Sequence, residues 1–262
     1  MDLQLKGKHV LVTGGSRGIG LACAQAFLRE GARVSLVGRT TANIEAAVAR
    51  LAAEGHPARG HCADLVDAGA ALRMLDAVEA DAGPIDILVN SAGAARRTPF
   101  DELQPQSWHD AMQAKFFSYI HVMDPLIKRM GARGSGAIVN VVGMGGKVAT
   151  TTHLAGGAAN AALMLATAGL AAAYGPRGVR VNAVNPALTL TDRMAEGLAA
   201  EARARNISAD DVLRDAHAKM PLGRVATPED IANAVLFLAS PMSAYVSGAI
   251  VSMDGAALPM VV

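Results

Sequence analysis

Short runs of β-branched and aliphatic residues alternate along the chain with longer stretches in which apolar positions recur every three or four residues. The short runs fit strands buried on both faces, and the longer spacing fits helices with one apolar side. Strands are predicted over 8–13, 33–37, 58–62, 86–89, 137–142, 179–184 and 249–252. Helices are predicted over 19–30, 42–54, 67–82, 107–130, 154–174 and 228–240. Gly31 and Gly55 close the first two helices, and Pro228 opens the last, where its missing N–H costs no hydrogen bond. This alternation predicts an α/β fold, a doubly wound parallel sheet covered by helices on both faces.

Two stretches depart from the pattern. Residues 191–219 are polar and charged, with Met194, Leu198, Ile207, Val212 and Leu213 at roughly helical spacing. The segment reads either as a mobile helical lid or as a solvated helical hairpin. Residues 148–174 contain no Asp, Glu, Lys or Arg, a length that would suit a bilayer span. Their apolarity comes mainly from Ala and Gly, with His153, Asn160 and Thr167 interspersed, so the stretch is read as a closely packed helix and not a membrane segment.

Composition narrows the partners. Among 262 residues, 24 basic and 23 acidic side chains leave a formal charge of +1, too balanced for a phosphate-tracking or membrane-binding surface. Nucleic acid and membrane are not expected partners. The two cysteines, Cys23 and Cys62, are far apart, which argues for reduced thiols and a cytoplasmic location, and neither belongs to a metal-ligand motif. The first eight residues lack the apolar core of a secretory signal. No linker-like tract divides the sequence, so residues 1–262 are read as one domain.

The first strand runs into Thr13-Gly14-Gly15-Ser16-Arg17-Gly18-Ile19-Gly20 and then a helix. Glycines let the backbone turn tightly and approach a pyrophosphate, and the helix start offers unpaired N–H groups and a positive dipole end. Strand, glycine turn and helix in that order predict a Rossmann-type dinucleotide site. The second strand ends Val37-Gly38-Arg39-Thr40, with no acid to accept a hydrogen bond from the adenosine ribose 2′-OH. Arg39 and Arg17 instead suit a 2′-phosphate, so NADP(H) is the predicted cofactor.

With these residues in place, the sequence resembles the short-chain dehydrogenase/reductase family over essentially the whole chain, in a single-domain branch similar to 3-oxoacyl-carrier-protein reductases. The matching motifs are the Gly14–Gly20 loop, Asp64 for an adenine-contacting Asp, and Asn90-Ser91-Ala92-Gly93. Also matching are Val181-Asn182-Ala183-Val184-Asn185-Pro186, Pro221-Leu222-Gly223-Arg224 and Thr227-Pro228-Glu229-Asp230-Ile231-Ala232. The resemblance implies cofactor contacts from Gly14, Ser16, Arg17, Gly18, Ile19, Gly20, Arg39, Asp64, Asn90, Ala92, Gly93, Pro186, Thr189 and Thr191. It also implies a homo-oligomer, a tetramer or dimer, built through the long central helices and the C-terminal segment.

The family's chemistry rests on an Asn, a Ser, a Tyr and a Lys. Local alignment places these on Lys115, Gly143, Gly156 and Asn160, and no Tyr-x-x-x-Lys occurs anywhere in the chain. The remaining catalytic candidates are Lys115, His153 and Asn160. His153 lies about one turn before Gly156, so its ring can lean toward the space there. Lys115 and Asn160 exchange the family's residue types, which would keep one ammonium in the same small region. Three readings stay open: an NADP(H)-dependent oxidoreductase with an atypical active site acting on a carbonyl or alcohol, a catalytically inactive NADP-binding homologue serving as sensor, scaffold or subunit partner, and a lyase or hydratase.

Overall fold

The computed structural model describes residues 2–93 and 95–260. Seven strands form one parallel sheet: β1 (His9–Thr13), β2 (Arg33–Gly38), β3 (Arg59–Cys62), β4 (Ile87–Asn90), β5 (Gly136–Val141), β6 (Val179–Pro186) and β7 (Ile250–Met253). Their spatial order is β3-β2-β1-β4-β5-β6-β7, with every pair parallel. The chain reverses direction across the sheet between β1 and β4, the switch point at which such sheets leave a crevice beyond their carboxyl ends.

Helices α1 (Gly18–Arg29), α2 (Thr41–Ala53) and α3 (Ala68–Ala82) link the first four strands. The sheet separates two apolar cores. Leu21, Phe27, Leu51, Val139, Ile231 and Val235 are among the residues packed on one face. Leu75, Val78, Leu88, Met123, Ile127 and Val181 are among those on the other. Both faces are therefore covered, as the uninterrupted apolar strands require.

The helix expected over 107–130 is not continuous. It divides into α4 (Pro105–Ala111), a π-helical turn at Met112–Phe117 and α5 (Ser118–Arg133). The wider turn shifts the rotational register of the side chains that follow, and it lies where Lys115 is buried. The segment 191–219 forms α7 (Asp192–Arg205) and α8 (Ala209–Ala218). Thr191 and Ser208 cap their amino ends, and the left-handed Asn206 closes α7. Helix α9 (Pro228–Ala239) starts in a capping box between Thr227 and Asp230.

Helix α6 (Leu154–Tyr174) lies against the sheet through Ala155, Ala159, Leu163, Thr167 and Ala171, a buried row at four-residue spacing. With the turn that follows, residues 154–177 are long and apolar enough to cross a membrane by length and composition. Asn160 and Thr167 are nonetheless buried on the helix, and the Thr167 hydroxyl bonds to Asn140 of the sheet, as in a core helix of a globular domain.

Candidate active site at the carboxyl ends of the strands

The loop after β1 is shaped by the absence of side chains. Gly14 has φ +65°, and a Cβ on it would stand 2.8 Å from the Ser91 carbonyl oxygen and from the Ala92 Cα. A Cβ on Gly20 would stand 2.3 Å from the Gly14 oxygen. Both glycines are thus fixed by backbone packing. Helix α1 begins at Gly18 with no side-chain hydrogen bond capping it, so its first N–H groups are left for a ligand. Ser16, Arg17 and Gly18 line an open groove of about 510 Å³ together with Leu190, Thr191 and Pro228. This bare cradle at a helix start fits a pyrophosphate.

At the adenosine side, β2 ends in Gly38, whose missing Cβ would lie 2.9 Å from Ile44 Cδ1 and 3.7 Å from Ser16 Oγ. No acidic side chain stands at this position. Arg39 and Arg17 are both exposed near it. Asp64 is exposed and its Oδ1 accepts from the Val66 N–H, which fixes the carboxylate at the mouth of the cleft. Both cysteines are free, and the Cys62 thiol donates to the Arg39 carbonyl at 3.3 Å. Burial pushes the Cys23 thiol up to about 12.

Asn90 ends β4 at the carboxyl edge of the sheet. It is fully buried: its Oδ1 accepts from the Thr13 hydroxyl at 3.3 Å, and its Nδ2 donates to Asn140 Oδ1 at 3.0 Å. Asn140 in turn donates to Thr167 on α6 at 3.0 Å, and Thr167 donates to the Leu163 carbonyl. Thr13 also accepts the N–H groups of Ser91 and Ala92. This buried chain ties β1, β4, β5 and α6 together beneath the crevice, and Thr13 within it holds the backbone of Ser91 and Ala92 in place. Gly93, with φ +83°, passes so close to Ala114 that a Cβ would stand 2.0 Å from its oxygen. Sequence reasoning did not single out Asn140 or Thr167; the available signal was a polar residue inside an otherwise apolar strand or helix.

On the far side of the cleft, Pro186 ends β6, and Thr189 is buried and bridged to Ala226. Thr191 opens α7 with its Oγ1 accepting from the Met194 N–H. Its methyl lies 3.4 Å from where a Cβ on Gly18 would be, so the start of the helical hairpin touches the glycine loop.

The three catalytic candidates converge beside the loop that follows β5. Lys115 is buried, and its Nζ donates to the Val141 carbonyl at 3.0 Å and to the Tyr119 hydroxyl at 2.9 Å. Tyr119 is fully buried, and burial raises its pKa, so the phenol keeps its proton. Gly143 has φ +134°, a conformation that strains any other residue, and a Cβ on it would lie 3.2 Å from Asn160 Nδ2. Gly157 lies close to backbone, since a Cβ on it would stand 2.6 Å from the Gly145 oxygen. The His153 ring fills the volume over Gly156, its Cε1 2.1 Å from where that residue's Cβ would be. The ring titrates below the usual histidine range, first through burial and then through the positive charges of Arg97 and Lys115. Among the described residues, His153 Nδ1 and Asn160 Oδ1 are buried without a hydrogen-bond partner.

The sequence pattern described as Enoyl-(Acyl carrier protein) reductase, of the short-chain dehydrogenase type, matches residues 14–256. The chain is 38% identical over 255 residues to a D-threitol dehydrogenase of Mycolicibacterium smegmatis, covering 97% of this chain and 94% of that protein. It is 36% identical to a 3alpha-hydroxysteroid dehydrogenase of Mediterraneibacter gnavus, covering 98% and 99%. Among solved structures, L-sorbose reductase from Gluconobacter frateurii, complexed with NADPH and L-sorbose, superposes with a TM-score of 0.94 at 28% identity over 100% of both chains. A seven-stranded doubly wound sheet, a bare glycine cradle at its first βα turn and these end-to-end similarities lead to one conclusion: the chain belongs to the short-chain dehydrogenase/reductase family of oxidoreductases.

Proposed function

We propose that the protein is an NADP(H)-linked oxidoreductase that interconverts a carbonyl and an alcohol on a small molecule, using an active site that departs from the family arrangement. The observation that carries this reading is the side-chain-free cradle of Gly14 and Gly20 beside Gly38, where no acid stands and Arg39 follows in sequence. Gly14, Ser16, Arg17, Gly18, Ile19 and Gly20 would hold the pyrophosphate, Arg17 and Arg39 the 2′-phosphate, and Asp64 the adenine. Ala92, Gly93, Pro186, Thr189 and Thr191 would border the nicotinamide half. A nicotinamide supplies or accepts a hydride when bound.

At the family's Asn, Ser, Tyr and Lys positions, as the resemblance aligns them, this chain has Lys115, Gly143, Gly156 and Asn160. Lys115 keeps an ammonium group at the base of the site, and the 191–219 hairpin, whose Thr191 lies beside Gly18, would serve as its lid. Relatives named for tetritol, ketose and hydroxysteroid substrates support a neutral polyol or ketone as the substrate class. The two free thiols support a cytoplasmic location. The apolar outer row of α6 supports a homo-oligomer.

The test is fluorescence titration with NADPH and NADH, followed by absorbance-monitored oxidation of bound NADPH with ketoses, ketosteroids and butane-2,3-dione. Micromolar NADPH binding and carbonyl-dependent oxidation are the expected results. Tight NADPH binding without oxidation by any of these would overturn the enzymatic reading and leave a binding protein.

A further inference from the structure

Gly156 and His153 are matched. A glycine inside the first turn of a helix costs about 1 kcal/mol relative to alanine, and here the ring of His153 occupies the place where a side chain would project. The loop opposite is shaped to the same ring: a Cβ on Gly145 would lie 3.0 Å from His153 Cδ2. The imidazole is therefore held between two backbone segments, over the carboxyl end of β5. Its Nδ1 is buried without a partner among the described residues, and its Nε2 lies toward Gly145, 3.7 Å from where a Cβ on that glycine would be. One helical turn further on, the buried Asn160 turns its Nδ2 toward the bare Gly143, while its Oδ1 also lacks a partner. Two polar side chains, each with one atom lacking a partner among the described residues, thus face Gly145 together, with Asn160 Nδ2 3.6 Å and His153 Nε2 3.7 Å from where its Cβ would be, near the strand ends where ligands of this fold bind.

We infer that His153 is the acid–base group of this enzyme, exchanging a proton between Nε2 and the substrate oxygen, and that Asn160 Nδ2 holds that oxygen by donating a hydrogen bond. The inference rests on the oxidoreductase reading above. In the reductive direction the Nε2–H bond of the imidazolium breaks, leaving neutral imidazole, and an O–H bond forms, making the oxygen of the reduced carbonyl a hydroxyl. Solvent then re-protonates the imidazole. The two electrons that reduce the carbon are those of the dihydronicotinamide already named. In the oxidative direction neutral Nε2 takes the hydroxyl proton.

The charged groups that act on the ring are Arg97, from the loop before α4, and Lys115, from the π turn. Both favour the neutral imidazole, so at neutral pH the group is set up as a base, and reduction speeds up as the pH falls. Tyr119 faces Lys115 and keeps its proton throughout.

The experiment uses the full chain, NADPH and butane-2,3-dione. His153→Ala is expected to bind NADPH within about threefold of the parent, slow carbonyl reduction at least about 100-fold, the scale of a positioned acid, and lose the acid-side rise in rate. Added imidazole is expected to restore part of that rate. Gly156→Ala, which displaces the ring, should show the same kinetic defect with an intact thermal transition. A readout free of cofactor is the ring 13C–1H resonance of His153, assigned by its loss in His153→Ala. Its midpoint should lie below 6.5 and move upward in Arg97→Gln. Unchanged rate and pH profile in His153→Ala, or no rescue by imidazole, would overturn the assignment while leaving the oxidoreductase reading intact. A parent protein that reduces no carbonyl would overturn both.

Discussion

Lys115 and Tyr119 converge on one acceptor: the ammonium donates to the Val141 carbonyl at 3.0 Å, the phenol donates to the same oxygen at 2.6 Å, and the ammonium also donates to the phenol at 2.9 Å. The two residues are four apart, with Lys preceding Tyr, the reverse of the order the family uses for catalysis. Their pairing places a positive charge at the carboxyl end of β5, directly under the loop that carries Gly143.

Replacing Tyr119 by Phe removes one donor to Val141 and one acceptor from a buried ammonium. Hydrogen bonds to charged groups contribute about 1.5–3 kcal/mol. Tyr119→Phe is therefore expected to lower the unfolding free energy by about 2 kcal/mol, read as a lower urea midpoint at unchanged slope. An unchanged midpoint would show that the pair contributes nothing to stability.

Cofactor choice should depend on Arg39. With no acid at Gly38, the parent is expected to favour NADPH over NADH by at least about tenfold, the scale of one charge-assisted contact of roughly 1.5–3 kcal/mol. Arg39→Ala should bring the two dissociation constants toward each other by weakening NADPH alone. Equal affinities in the parent would remove the argument.

The outer side of α6 presents Ala158, Ala161, Leu165, Ala168 and Ala172, all exposed, with Leu165 77% accessible. Such an apolar row at helical spacing is covered in an oligomer. Sedimentation velocity is expected to show a dimer or tetramer, and Leu165→Glu should shift it to a smaller species. A monomeric parent at micromolar concentration would contradict this.

Acid should destabilise the fold before its carboxylates protonate. His9 is fully buried, with its ring bonded to the Gly83 carbonyl at 2.8 Å and to Ser35 Oγ at 3.0 Å. Burial, more than any other cause, holds His9, His61 and His153 below the ordinary histidine value of 6.5. Below 6.5 the unfolded chain therefore binds more protons than the folded one, and stability falls as the pH drops toward the folded-state values. The contribution is complete above 6.5. Urea midpoints should be lower at pH 5.5 than at pH 7.5, and His9→Asn should flatten part of that slope. Equal midpoints in the parent would exclude the effect.

The central strands were legible in the sequence because a buried parallel strand needs an uninterrupted apolar run, as in β1 and β4, whereas the edge strand β3, Arg-Gly-His-Cys, is mostly exposed and carries no such run. The glycine loop was equally legible, since strand, glycine turn and helix follow one another in the chain, and so was the missing acid at Gly38. The break in the helix predicted over 107–130 was not, because a π turn leaves no mark on hydrophobic spacing when the residues around it stay helical. Nor was the burial of Lys115, since a lysine in a sequence reads as exposed until a partner such as Val141 O is brought to it from another strand.

The sequence by itself determined the order of elements, the parallel sheet and the side-chain-free loop, because each of these depends on local spacing and on residues adjacent in the chain. Only the tertiary structure decided what the polar residues do. It buried Asn90 in a network with Thr13, Asn140 and Thr167, turned Lys115 inward to Tyr119, and set the His153 ring over Gly156. Apart from the Lys115–Tyr119 and His153–Gly156 contacts within single helical stretches, these relationships join segments from different strands and helices. They exist because the crossovers bring the carboxyl ends of β1, β4 and β5 to one edge of the sheet, a juxtaposition that packing imposes and no local pattern encodes.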